Sequence, residues 1–262
     1  MKRLALILII LILLTIFSVW LWIPSGSKIQ GCLITTMYSL DLCPGSKNYV
    51  PFGQISKNIQ NAILLTEDSG FYSHNGFDPE GIQRCYEKFK EKGKIVCGGS
   101  TITQQLAKNM FLYKEKNFLR KGLEALITLQ IERTLPKKAI FERYLNIAQF
   151  GKDIYGVKQA AEFYFKKSAS NLTVQESAFL AMVLPSPEKY SQSYYRKDLT
   201  KFARRRLTQI IENMYKYKSL SEEQYVSALA KLDSFLLQGQ QKNNSQPNNE
   251  ILTDEDLDEM TN

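Results

Sequence analysis

A chain of 262 residues, 44% hydrophobic and 23% charged, holds one well-packed domain with appendages and excludes two large catalytic domains. Its net charge of +8 is unevenly spread, and the outlying features sit at the two ends. A single histidine, His74, and four cysteines without metal-ligand spacing argue against a zinc site.

After Met1, Lys2 and Arg3 comes an uncharged run over residues 4–23, stopped by Pro24. At about 1.5 Å rise per residue such a run spans about 30 Å, the thickness of a bilayer core. Trp20 and Trp22 lie where it meets the far interface, and Lys2 with Arg3 place residues 1–3 in the cytoplasm. A cleaved signal peptide would have a shorter apolar core, about 7–15 residues, so the run predicts a single-pass anchor. Residues 24–49 read as a turn-rich linker with a strand near residues 33–37. There Cys32 and Cys43 form one local pair, and Cys85 with Cys97 forms another, in what the topology makes an oxidising compartment.

Residues 50–238 read as the folded domain, mainly α. Apolar spacing predicts helices over residues 58–67, 119–135 and 138–150. Thr101 with Gln104 and Thr173 with Glu176 have capping-box spacing, opening helices through residues 109 and 184. Residues 202–217 and 221–237 give two closing helices. Residues 239–262 are rich in Gln and Asn and then acidic, with one lysine against six acids. That is a net −5, which leaves +13 on the rest of the chain. Such a tail cannot bury enough apolar surface to fold and is expected to be disordered. The basic body suits anionic headgroups or a phosphate-bearing substrate.

Three segments carry more polar residues than packing needs. Glu67-Asp68 ends a helix and enters an aromatic, glycine-containing loop through Phe71, His74 and Gly76. Adjacent carboxylates raise the proton affinity of one of them, which suits a general base. Gly98-Gly99-Ser100-Thr101 precedes a helix carrying Gln105, Lys108 and Asn109, offering unpaired N–H groups and a cation to an anion. Arg120 and Lys121 lie four and three residues before Glu124, on one helix edge.

Taken together, these residues resemble glycosyltransferase family 51. The order is Glu67-Asp68-x-x-Phe71-x-x-His74-x-Gly76, then Gly98-Gly99-Ser100-Thr101-Ile102-Thr103-Gln104-Gln105, then Arg120-Lys121-x-x-Glu124, then Tyr144-Leu145-Asn146 with Phe150-Gly151, and Arg204-Arg205 ahead of Met214. The details look most like the monofunctional biosynthetic peptidoglycan transglycosylases of the Gram-negative type. The resemblance implies a lysozyme-like, mainly helical domain with a small membrane-facing jaw. It also implies polymerisation of lipid II onto a lipid-linked nascent glycan, in a single-pass protein of the bacterial inner membrane with its catalytic domain on the periplasmic side. By motif match the catalytic residues would be Glu67, the base, and Glu124. Asp68, Phe71, His74, Ser100, Thr101, Gln105, Lys108, Asn109, Lys116 and Arg120 would bind or shape the substrate site. No metal ligand and no obligatory cofactor is implied, though a divalent cation such as magnesium fits beside the diphosphate. Wall-synthesis or division proteins are further expected partners, and nucleic acid is not. Two departures stand out: Leu123 replaces a residue that is basic in many relatives, and Lys116 an arginine in some, which weakens bidentate diphosphate contact there. Ser25-x-x-Lys28 matches a transpeptidase motif by chance, since no Lys-Thr-Gly follows.

Overall fold

The computed structural model describes residues 2–93, 98–115 and 117–237. Lys116, Cys97 and the expected acidic tail over residues 239–262 lie outside the described residues. The helices are α1 (Lys2–Trp22), α2 (Gly26–Gln30), α3 (Lys57–Glu67), α4 (Pro79–Lys92), α5 (Ile102–Phe111), α6 (Phe118–Thr134) and α7 (Lys137–Ile147). They continue with α8 (Gly156–Phe165), α9 (Val174–Val183), α10 (Pro187–Tyr190), α11 (Gln192–Arg196), α12 (Lys201–Lys216) and α13 (Glu222–Ala230). Two small antiparallel hairpins join β1 (Leu33–Ile34) to β2 (Asp41–Leu42) and β3 (Gln149–Gly151) to β4 (Ile154–Tyr155). The fold is mainly α, as the sequence predicts.

The core is built around α9. Every residue from Val174 to Val183 is buried, the state of a helix that is apolar on all sides. Thr173 and Glu176 form the expected capping box at its start, and α3, α12 and α13 pack on it. α5 packs on α6 and α7, and its start is fixed by the second expected box, Thr101 with Gln104. Two helices are shorter than their patterns. α7 stops at Ile147, and Gln149–Gly151 pairs with β4 instead, because Gly156 takes φ +76° with its Cα against the Asn146 carbonyl. α13 stops at Ala230, and Phe235–Leu237 forms a separate 3-10 turn whose Phe235 packs on Phe165 and Phe179.

Residues 24–49, expected as a linker, are tied to the domain. Ile29 and Leu42 are fully buried, Arg143 Nη2 donates to Gln30 O (2.5 Å), and Cys32 is bonded to Cys43. Cys85 is also disulfide-bonded; its expected partner, Cys97, is not among the described residues. α1 is a 21-residue helix whose described large side chains, from Leu6 to Trp22, are exposed. Several of its side chains, Trp20 included, lie outside the described set. Among the described residues, no helix is long and apolar enough to cross a membrane.

Candidate active site

The site begins where α3 ends. Glu67 is its last residue, and at Asp68 the backbone leaves the helix with φ −162°. The adjacent carboxylates are thereby sent to different tasks. Asp68 is buried; one oxygen accepts the Ile102 N–H (2.9 Å) at the start of α5, and the other bonds His74 Nε2 (2.8 Å). A carboxylate at a helix N-terminus satisfies an unpaired donor and complements the helix dipole. Thr101 completes the joint: its hydroxyl donates to Gly76 O (2.7 Å) and accepts the Gln104 N–H (3.2 Å). Gly76 is required there, since it takes φ +91° and a Cβ would lie 2.7 Å from Thr128 Cγ2.

With α3 and α5 joined in this way, Glu67 meets the side of α5. Gln105 Nε2 donates to Glu67 Oε2 (2.9 Å), and the buried Tyr144 hydroxyl donates to Gln105 Oε1 (3.2 Å). The Glu67 pKa is raised. Burial is the main cause and Asp68 adds to it, while Gln105, Arg206 and Lys108 act the other way. The adjacent carboxylate thus has the effect that its spacing suggests, but the larger cause is desolvation.

Glu67 opens onto a cleft of about 280 Å³ that it shares with Ser69, Arg84, Lys88, Gly99 and Ser100. Ser100 Oγ accepts from Lys121 Nζ (3.3 Å), which joins the glycine-rich loop to α6. Glu124 on α6 is buried and paired with both Lys121 and Arg120, the latter at 3.4 Å. The two glutamates therefore differ in kind. Glu67 is held by a neutral amide and has raised proton affinity; Glu124 is held by two cations and acts as a fixed charge among them. Arg120 Nε and Asn109 Oδ1 are buried without a hydrogen-bond partner.

The structure thus brings together Glu67, Gln105 and Lys108 on one side, and Ser100, Arg120 and Glu124 on the other. Asp68, His74 and Thr101 form the joint behind them. Phe71 is buried under Lys137, whose Nζ is 4.4 Å from the ring centroid, and packs on Phe141. Lys116 is not among the described residues. Sequence reasoning missed Tyr144 as the anchor of Gln105, Arg206 as a cation within reach of Glu67, and Arg84 with Lys88 on the cleft wall. Tyr144 and the arginines beside Arg206 stand in the motifs, but without a sign of which contact they make; Arg84 and Lys88 show only a four-residue spacing on α4. Among the described residues no group of three His, Cys, Asp or Glu side chains could hold a metal ion.

Comparison with known proteins gives a consistent picture. Residues 35–215 match the family model described as Transglycosylase. A biosynthetic peptidoglycan transglycosylase of Paraburkholderia xenovorans (strain LB400) is 49% identical over 144 residues, 55% of this chain and 60% of that protein. The protein of the same name from Acinetobacter baumannii (strain ATCC 17978) is 43% identical over 183 residues, covering 70% of this chain and 81% of the relative. That of Burkholderia cenocepacia (strain HI2424) is 44% identical over 172 residues, 65% of this chain and 70% of the relative. The match therefore spans less than two thirds of the first relative and more of the other two.

Proposed function

Because the chain belongs to the transglycosylase family, we propose that it is a peptidoglycan glycan-strand polymerase. It transfers the growing lipid-linked glycan chain onto the 4-hydroxyl of lipid II, with inversion. The observation that carries this reading is Glu67, desolvated, held by Gln105, and open to a cleft walled by cations. Glu67 takes the proton from the acceptor 4-hydroxyl as that oxygen attacks the anomeric carbon of the donor. The bond from that carbon to the diphosphate breaks, and undecaprenyl pyrophosphate leaves. A diphosphate leaving group needs charge neutralisation more than protonation, and preorganised cations supply it. Arg120 and Lys121, paired with Glu124, take that task together with Lys108 in this reading. A divalent cation could share it.

The substrate is lipid-borne, so the enzyme belongs at the cell envelope; the uncharged run over residues 4–23, side chains outside the described set included, supports reading α1 as a single-pass anchor in the inner membrane. Its 21 residues give a length of about 31 Å, and its described apolar side chains are exposed on all sides. Exposed Ile82, Tyr86 and Phe89 on α4, with Tyr113 before α6 and Phe118 and Leu119 at its start, would form the membrane-facing jaw. The deciding experiment follows labelled lipid II into polymer with the detergent-solubilised full chain, beside Glu67→Gln. Polymer from the parent and almost none from the variant is expected. A well-folded parent that makes no polymer across detergents and divalent ions would refute the reading.

A further inference from the structure

Away from the cleft, α8 and α11 end side by side in an unusual way. α8 closes on Lys166 with φ 54° and α11 on Lys197 with φ 59°. A left-handed residue after a helix is ordinarily glycine or asparagine, because a longer side chain crowds its own backbone there. Both positions hold lysine instead, and the two ammonium groups are close enough to act on each other. The Lys197 pKa is lowered, first by burial and then by Lys166.

Beneath them lies a platform of rings. Lys197 Nζ is 3.5 Å from the Tyr194 ring centroid, and Lys166 Nζ is 6.0 Å from that of Phe163. Phe163 packs against Tyr194 at 5.7 Å and Tyr195 at 6.5 Å, and stays 37% exposed. The acids nearby do not neutralise the pair: Glu176 is held by Lys167 and Asp198 by Arg196, while Glu162 is solvent-exposed one turn before Lys166. Lys218 after α12 is left-handed too (φ 58°), so what sets this pair apart is their mutual approach over partly exposed rings. The pair and the rings suit a ligand that offers carboxylates to the lysines and flat saccharide faces to the rings. Arg206 is within electrostatic reach of both Glu67 and Tyr190, and Tyr190 is one turn before Tyr194.

Resting on the function proposed above, we propose that Lys166, Lys197 and the Phe163–Tyr194–Tyr195 rings form a second saccharide site that holds the polymer strand outside the cleft. The rings take sugar faces, and the two ammonium groups take carboxylates of the attached peptides. The test uses the full-length Glu67→Gln chain in detergent, so that binding is read without turnover. Its ligand is soluble, uncross-linked glycan–peptide strand, titrated calorimetrically with and without Lys166→Gly and Lys197→Gly together. Glycine suits the left-handed backbone, so the double variant should melt no lower than its parent. Strand affinity is expected to fall roughly tenfold, and strands stripped of peptide should be less sensitive to the change. With Glu67 restored, the double variant should make shorter polymer. Unchanged strand affinity would overturn the proposal. So would lost binding to phosphatidylglycerol vesicles with strand binding intact, which would assign the patch to a membrane surface. A parent that makes no polymer, yet binds strand through these lysines, would sink the polymerase reading while upholding the site.

Discussion

Glu67→Gln should abolish polymer formation and yet stabilise the protein at neutral pH. Burial raises the Glu67 pKa above the ordinary 4.5, so the ionised side chain that catalysis needs is the form that folding disfavours. A group whose folded pKa is raised contributes stability below its unfolded pKa and loses it as pH rises through the folded value. At pH 7 the parent bears that cost. Glutamine does not, and its carbonyl can still accept the Gln105 amide. Arg206 and Lys108 lose an attractive partner, which works the other way, but burial outweighs them. Because Glu67 keeps some exposure, the expected gain is modest, about 0.5–2 kcal/mol. For a domain of this size that is roughly 1–8 °C in Tm. Differential scanning fluorimetry of both chains from pH 4 to 8 measures it: the gap should be widest near neutrality and close below about pH 4.5, where both side chains are neutral. Parent activity should correspondingly fall, as pH drops, at a higher pH than an ordinary glutamate would give, and the variant should lose about 10²–10⁴-fold. A variant that melts lower than its parent at pH 7, or a gain that persists at pH 4, would refute the claim that desolvation sets the proton affinity of this residue.

Three further outcomes follow from the same geometry. Asp68→Asn removes a charge from the α5 N-terminus and places an amide donor against existing donors, which should cost about 2–4 kcal/mol in chemical unfolding; a loss under about 1 kcal/mol would mean that the joint is not structural. Gly76→Ala forces a Cβ against Thr128 in a left-handed backbone and should cost about 1–3 kcal/mol, visible as a lower urea midpoint with an unchanged slope. Lys121→Ala leaves Glu124 with Arg120 alone. Lys121 is half-exposed, so stability should change by less than about 1 kcal/mol, while turnover of the diphosphate substrate falls at least about tenfold; equal turnover would remove Lys121 from the site.

Much of the fold was legible because its signals are local. The Thr101 and Thr173 capping boxes, the apolar stripe of α6 and the all-apolar α9 each declare a helix within a few residues. α4 carries local signals too, since Pro79 follows Asp78 and Ile82, Cys85, Tyr86 and Phe89 lie at helical spacing. The end of α7 was not legible: Phe150 continues the helical period, and only the approach of Gly156 to Asn146, ten residues on, turns the chain into a strand. In the site, the motif residues could be found, but their tasks could not be divided. Glu67 and Asp68 are equivalent in the sequence. What separates them is one backbone φ at the end of α3, together with an N–H donor 34 residues away. Tyr144 and Arg206 reach the site from α7 and α12; Tyr144 and the neighbouring Arg204-Arg205 stand in motifs, but their spacing does not say which of them meets Gln105 or Glu67.

α5 explains why those tasks can be divided so sharply. Its first N–H groups bind Asp68 and the Thr101 hydroxyl, and its far end accepts from the Thr36 N–H at Met110 O (2.9 Å) and the Met37 N–H at Asn109 O (3.4 Å). Both ends are therefore fixed by backbone hydrogen bonds that involve no substrate. Between them, Gln105 and Lys108 stand on the face turned to Glu67, with Tyr144 bracing Gln105 from behind. Glu67 is thus held by contacts within the protein, the condition under which dipoles stabilise developing charge without reorganising. The disulfide-tied segment around Thr36 and Met37 belongs to that arrangement as much as the motif residues do. A change there would move α5, and with it Gln105, without touching the cleft, so the segment after α1 is part of what holds Glu67 in place.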